Sequence, residues 1–386
     1  MIKAYFIAVA AALALATSVV AQPIVATPAE QQQLDALNQP EDWFIAHLKG
    51  PRETSGAAVL DARLQYVLEN VTRPASAPAV QTYLRGTYAT PEGRAAARAA
   101  LDRYWDLHTV TTPDVTSEDS TLAGRDGGQI PVRIYRPAGD KPLPVLVYYH
   151  GGGFMFGSID GWDRTVRLIA SESHMIVVSV GYRLAPENPY PAAWNDAEDA
   201  YLWALGQAGA LGGTTVSVGG DSAGGTLAVA VALRARAGHK PIPAAMLLYY
   251  PGVDRVNAYP SLTAFGTGYG LDGDNLKYLA DQVYPAGVAT TAEDTSPMQA
   301  DLCGLPFAVI VAAGFDPLQD SQAAFSRKLT DDGLACNRFD GGSLQIDRSL
   351  IHGFLQTTAY VPGALDIARS SARTFGKFAA DMTNKK

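Results

Sequence analysis

Between residues 145 and 312 the chain repeats one pattern, a strand-length apolar run followed in most cases by a longer stretch with helical spacing. The runs are Val145 to Tyr149, Ile176 to Val180, Val216 to Val218, Ala245 to Tyr249 and Ala308 to Ala312. Each is apolar at consecutive positions, which predicts a strand buried on both faces. Trp162 to Glu172, Trp194 to Leu211, Thr226 to Ala237 and Ser321 to Leu329 supply the helices. Strands alternating with helices predict a mostly parallel central sheet flanked by helices, an α/β architecture. Ahead of the pattern, Gly127-Gly128 stands between two alternating stretches, Ser117 to Ala123 and Ile130 to Tyr135, as in a β-hairpin. A last strand is predicted around Ala335 to Phe339, followed by a closing helix. Residues 253–296 are too long for a simple connection and carry a helical piece around Asn275 to Val283. They read as an insertion above the sheet.

The region before this pattern divides in two. Met1-Ile2-Lys3 gives a positive start, Ala4 to Val20 is almost wholly apolar, and Val19-Val20-Ala21 ends in a small residue. Residues 1–21 therefore read as a signal peptide, the mature chain begins near Gln22, and the expected location is periplasmic or secreted. No stable membrane anchor is expected after cleavage: the only cysteines are Cys303 and Cys336, so none stands near Gln22 to carry lipid. Residues 22–110 are helical in pattern, over Gln31 to Leu37, Trp43 to Leu48, Val59 to Val71 and Pro91 to Leu107, with no strand signal. Residues 111–386 form the catalytic unit. The 30 basic residues against 38 acidic ones leave a net charge of -8, which repels phosphate backbones and argues against nucleic acid as a partner.

Gly220-Asp221-Ser222-Ala223-Gly224 follows the run Val216 to Val218 and opens a helix. In a nucleophile elbow the serine occupies a strained turn between strand and helix, and the flanking glycines remove side chains that would collide. His150-Gly151-Gly152-Gly153-Phe154 follows the run Val145 to Tyr149. Glycines there let backbone N–H groups point into a cavity, which makes Gly152 and Gly153, with Ala223, the candidate oxyanion donors. His150 is expected to hold the loop by hydrogen bonds. In α/β-hydrolases the triad order is serine, acid, histidine. Of the six histidines only His239 and His352 follow Ser222, and His239 lies at the far end of the helix, about 25 Å from the elbow. His352 remains as the base. Thirteen carboxylates lie between Ser222 and His352. Asp316 is the candidate acid because it directly follows a buried strand, where catalytic groups gather in open α/β sheets; Asp320 is the runner-up.

At this point the sequence resembles a known family. His150-Gly151-Gly152-Gly153, Tyr182-Arg183-Leu184-Ala185-Pro186-Glu187, Gly220-Asp221-Ser222-Ala223-Gly224, Asp316-Pro317-Leu318 and Ile351-His352-Gly353-Phe354 look like successive signatures of the hormone-sensitive-lipase-like bacterial esterases. The resemblance runs from about Pro91 to the C-terminus. It implies a capped α/β-hydrolase fold that cleaves small-molecule esters of short or medium acyl chains without a metal or organic cofactor. It also implies that residues 22–110 and 253–296 form the helical cap. Two departures stand out: a longer N-terminal region, and an insertion over Asp340 to Leu350 before His352.

The expected chemistry is acyl transfer. Asp316 orients His352, His352 takes the proton of Ser222, and Ser222 attacks the ester carbonyl to give an acyl-enzyme. An amidase or peptidase on the same triad is the nearest rival. Gibberellin receptors resemble this family yet bind without catalysis, having lost the triad histidine; His352 favours an enzyme. Phe154, Phe156 and Tyr190 read either as pocket residues or as core. Finally, Cys303 before one strand and Cys336 at the predicted start of the next are expected near one sheet edge, within reach of a disulfide.

Overall fold

In the computed structural model, which describes residues 24–139, 142–336 and 341–384, both faces of the sheet's central strands are buried. Along the strand Leu143–Tyr149, Val145, Val147 and Tyr149 join one apolar layer while Leu146 and Tyr148 join the other. Along the strand Ala308–Phe315, Ala308 and Ile310 alternate in the same way with Val309, Val311 and Ala313. Side chains on a strand point to opposite faces in turn, so a consecutive apolar run is what burial on both sides requires. A one-residue slip would exchange the two layers, which fixes the register.

The strands in chain order are β1 (Thr54–Ser55), β2 (Ala58–Val59), β3 (Val115–Ala123), β4 (Gln129–Pro137), β5 (Leu143–Tyr149), β6 (Ile176–Val180), β7 (Gly213–Asp221), β8 (Met246–Tyr249), β9 (Ala308–Phe315) and β10 (Gly342–Ile351). The last eight form one sheet in the order β10-β9-β8-β7-β5-β6-β4-β3. β10 through β6 are parallel, and the hairpin β3–β4 adds antiparallel to β6. This is the α/β-hydrolase fold. Helix Asp163–Ser173 and the closing helix Pro362–Asn384 pack on one face; helices Ala192–Gln207 and Ala223–Ala237 pack on the other. The chain thus leaves β5 over one face to reach β6, and leaves β6 over the opposite face to reach β7 on the other side of β5. A crevice opens where such crossovers part, at the carboxyl ends of β5 and β7.

The N-terminal helices are Pro28–Leu37, Glu41–Ala46, Ala62–Val67, Arg73–Ala75, Pro78–Tyr88 and Pro91–Leu107, with a π-helical turn over Leu68–Thr72. Helix Pro78–Tyr88 went unread in the sequence, although Pro78 in its first turn is a start signal. The absence of strand in this region is also corrected, since β1 and β2 pair antiparallel. Residues 253–296 fold as two helices, Pro260–Phe265 and Gly273–Val283. The two regions touch: Arg73 Nε donates to the Gly268 carbonyl at 3.2 Å, and Arg85 Nη2 donates to that of Asp274 at 3.2 Å while its guanidinium lies over the Tyr278 ring.

The last strand lies beyond the stretch Ala335 to Phe339 read for it, of which residues 337–339 fall outside the described residues. Ala335 ends the helix Gln319–Ala335 and the strand is Gly342–Ile351, so the apparent insertion before His352 is the strand itself. Cys336 caps that helix instead of starting a strand; the helix returns it to the edge where β9 begins, and it is bonded to Cys303, with Cα atoms 6.1 Å apart. The signal-peptide segment lies outside the described residues. Among the described residues no helix is long and apolar enough to cross a membrane.

Candidate active site

Ser222 links the end of β7 to the helix Ala223–Ala237, with φ 51° and ψ -117°. For a non-glycine residue this conformation costs about 1–3 kcal/mol, and the surroundings hold it. The Ser222 N–H donates to the Tyr249 carbonyl at 2.9 Å, and the Ser222 carbonyl accepts from Thr226 at 3.2 Å. Side chains at Gly220 or Gly224 would strike the Tyr149 carbonyl, which is why this tight turn needs glycine on either side of the serine.

Strand pairing then delivers the partners. β5 and β7 are parallel neighbours with Tyr149 opposite Gly220, so the glycine loop after β5 emerges beside Ser222. β9 and β10 are parallel neighbours with Phe315 opposite Ile351, so Asp316 and His352 emerge together. His352 Nε2 lies 2.9 Å from Ser222 Oγ, and His352 Nδ1 lies 2.9 Å from Asp316 Oδ2. Asp316 is fully buried; its Oδ1 accepts from the Leu318 N–H at 2.8 Å and its Oδ2 from Gln322 Nε2 at 3.3 Å. A carboxylate facing Nδ1 keeps the proton there and leaves Nε2 free to accept the serine proton. Asp320 is elsewhere, accepting from the Ser261 N–H at the start of helix Pro260–Phe265. His239 lies beyond the far end of the helix that Ser222 opens.

Gly152 and Gly153 have φ of 106° and 62°, values that only glycine adopts readily, and both lie in the turn after β5. Met155 and Phe156 donate to the Gly152 carbonyl, curling the loop. Ala223 is the first residue of the helix, where N–H groups carry partial positive charge. His150 is buried, its Nδ1 donates to the Gly151 carbonyl at 2.7 Å, and its ring stacks on Tyr182. Burial brings its pKa down to about 4, so it is neutral at physiological pH and serves as a brace.

Two contributors lie outside the motif reading. Arg98, on helix Pro91–Leu107, donates Nε to the Met155 carbonyl and Nη2 to that of Ala185, each at 2.8 Å, and pairs with Glu187. It thereby ties the N-terminal region to the glycine loop. Leu279, on helix Gly273–Val283, rests on that loop so closely that a Cβ at Gly153 would come within 2.7 Å of its Cδ1. Phe156 packs against Tyr88, whereas Phe154 stacks on Trp194 and Tyr190 bonds Asp294, both turned into the root of the 253–296 segment.

A family profile described as alpha/beta hydrolase fold matches residues 146–355. The carboxylic ester hydrolase LipN of Mycobacterium tuberculosis is 40% identical over 256 residues, 63% of this chain and 64% of LipN, so the chain spans slightly less than two thirds of that relative. The carboxylesterase NlhH of the same species is 37% identical over 288 residues, 72% of this chain and 88% of NlhH. Among solved structures, an alpha/beta hydrolase enzyme from the metagenome of Lake Arreo, Spain, superposes with a TM-score of 0.69 at 31% identity, covering 78% of this chain and 95% of that one. Profile, relatives and fold agree, and the chain belongs to the hormone-sensitive-lipase-like esterases of the α/β-hydrolase family.

Proposed function

We propose that the protein is a serine carboxylesterase acting on small-molecule esters of short or medium acyl chain. The observation that carries this reading is the line Ser222 Oγ, His352 Nε2, His352 Nδ1, Asp316 Oδ2, with both contacts at 2.9 Å. The names of its relatives support the ester bond as the target. His352 accepts the Ser222 proton as Oγ bonds the ester carbon, and the carbonyl electron pair moves onto oxygen. The N–H groups of Gly152, Gly153 and Ala223 hold that oxyanion. Collapse expels the alcohol, which takes the proton from His352; water then enters by the same steps and releases the acid. Every step is carried by groups of the chain, so the scheme calls for no metal or organic cofactor. Helices of residues 22–110 and the segment 253–296 act as the cap over the site, and the protein works in the periplasm or outside the cell.

The test is hydrolysis of short-chain nitrophenyl esters by the wild type and by Ser222→Ala. The variant is expected to stay folded and to lose at least about 10⁴-fold in kcat/KM; near-wild-type turnover would overturn the assignment. Acyl chains from two to sixteen carbons then define the preference, with the optimum expected at the short end.

A further inference from the structure

Asp221 stands immediately before Ser222, is 1% exposed, and takes no part in the acyl-transfer scheme. Its Oδ1 accepts three hydrogen bonds, from Tyr148 Oη at 2.9 Å, Trp162 Nε1 at 2.9 Å and the Gly151 N–H at 3.1 Å. The donors come from three separate places: β5, the residue that caps helix Asp163–Ser173, and the first glycine of the loop after β5. Burial pushes the carboxyl up to about 6, against the pull of these donors and of His352, so it is ionised at physiological pH. Hydrogen bonds to an ionised acceptor are roughly twice as strong as neutral ones. The fit around Gly151 is also close, since a Cβ there would collide with Asp221 Oδ2.

We infer that Asp221 is a positioning residue for the oxyanion hole. It is bonded covalently to the nucleophile on one side and by hydrogen bond to Gly151 on the other. It therefore fixes where the N–H groups of Gly152 and Gly153 stand relative to Ser222 Oγ. The β5–β7 ladder ends at Tyr149 and Gly220, so Asp221, the last residue of β7, continues the link between the two strands by reaching Gly151, two residues past the end of β5. The inference rests on the esterase reading and deepens it. Displacing such donors by about 1 Å costs on the order of 10²-fold in rate.

The experiment uses Asp221→Ala and Asp221→Asn in the full chain, with two inhibitors of equal chain length. An alkyl trifluoromethyl ketone accepts the Ser222 Oγ, giving a hemiketal whose former carbonyl oxygen carries the negative charge while the serine proton passes to His352. The matching methyl ketone serves as a mimic of the unreacted ester. Asp221→Ala is expected to lower kcat about 10²-fold with KM nearly unchanged. It should weaken the trifluoromethyl ketone by a similar factor and leave the methyl ketone alone. Asp221→Asn, which keeps an acceptor oxygen without the charge, is expected to lose about 5- to 10-fold. It also carries the test should the alanine variant not fold. A folded variant with wild-type kcat, or equal weakening of both ketones, overturns the inference. If Ser222→Ala abolishes hydrolysis while Asp221→Asn is normal, only the positioning role fails. If the wild type shows no Ser222-dependent hydrolysis, the esterase reading fails and this inference with it.

Discussion

Ile351 of β10 stands opposite Phe315 of β9, and the residues that follow them, His352 and Asp316, meet at 2.9 Å. Just before this point β10 carries three residues, Arg348 to Leu350, against the single Gly314 of β9. A Cβ on Gly314 would run into the Arg348 backbone, which cannot swing away as a side-chain tip could. Gly314→Ala is therefore expected to push the bulge outward and carry His352 with it. The predicted cost is about 1–3 kcal/mol of stability, read by urea unfolding. A fall in kcat of about 10-fold or more should accompany it, with a smaller change in KM. Wild-type kcat in the folded variant would show that His352 is placed by something other than this register.

Two sets of carboxyl groups pull the pH dependence of stability in opposite directions. Glu30 is brought down to about 2, chiefly by its hydrogen bond from Arg103. Glu187 is raised by burial but lowered more by Arg98 and Arg94, and also comes to about 2. Folded values below the unfolded one give stability that is complete above about pH 4.5 and is lost as the pH falls toward 2. Asp102 is pushed up to about 6 by burial, so its ionisation costs stability as the pH rises from 3.8 through 6. Tm is expected to peak where these windows overlap, at about pH 4.5. Asp102→Asn should add about 1–3 kcal/mol at pH 8 and nothing at pH 3.5. Scanning fluorimetry across pH checks both; an equal gain at the two pH values would contradict the burial argument.

The bridge between Cys303 and Cys336 closes a loop across a sequence separation of 33, which the chain-entropy model values at roughly 3 to 4 kcal/mol. Unfolded but unreduced protein is expected to contain no free thiol by titration. Reduction should lower the urea midpoint, and a Cys303→Ser, Cys336→Ser double variant should match the reduced protein. Two free thiols per chain would remove the bridge from consideration.

The chemistry was legible because it is punctuated. Ser222 lies between a strand and a helix, Asp316 follows a buried run, and chain order leaves His352 as the base; none of this needs knowledge of pairing. Asp221 was hidden because its meaning depends on β5 lying beside β7, which brings Gly151 within 3.1 Å, a neighbour 70 residues away. β10 was misplaced for a different reason. It is an edge strand whose residues Gly342 to Arg348 are half-buried or exposed, so its apolar positions alternate with polar ones and no consecutive run marks it. The strand read over Ala335 to Phe339 begins on a residue that belongs to the helix Gln319–Ala335, and residues 337–339 lie outside the described residues. Arg98 and Leu279 escaped notice because a lone arginine or leucine on a helix is ordinary until a glycine loop is found against it.

The contacts of the N-terminal helices also bear on how the chain is made. Arg73 finds its acceptor at Gly268, 195 residues further on, and Arg85 finds Asp274, 189 residues further on. The Asp61 N–H waits for the Ser349 carbonyl on β10. At about 5–20 residues per second, roughly 10–40 s of translation separate the synthesis of Arg73 from that of its partner. Throughout that interval the apolar side chains of Leu60, Leu64 and Leu68 lack the part of their core cluster that β9, β10 and the closing helix supply. The N-terminal helices are thus expected to reach their final packing only after the last strand and the closing helix have been made.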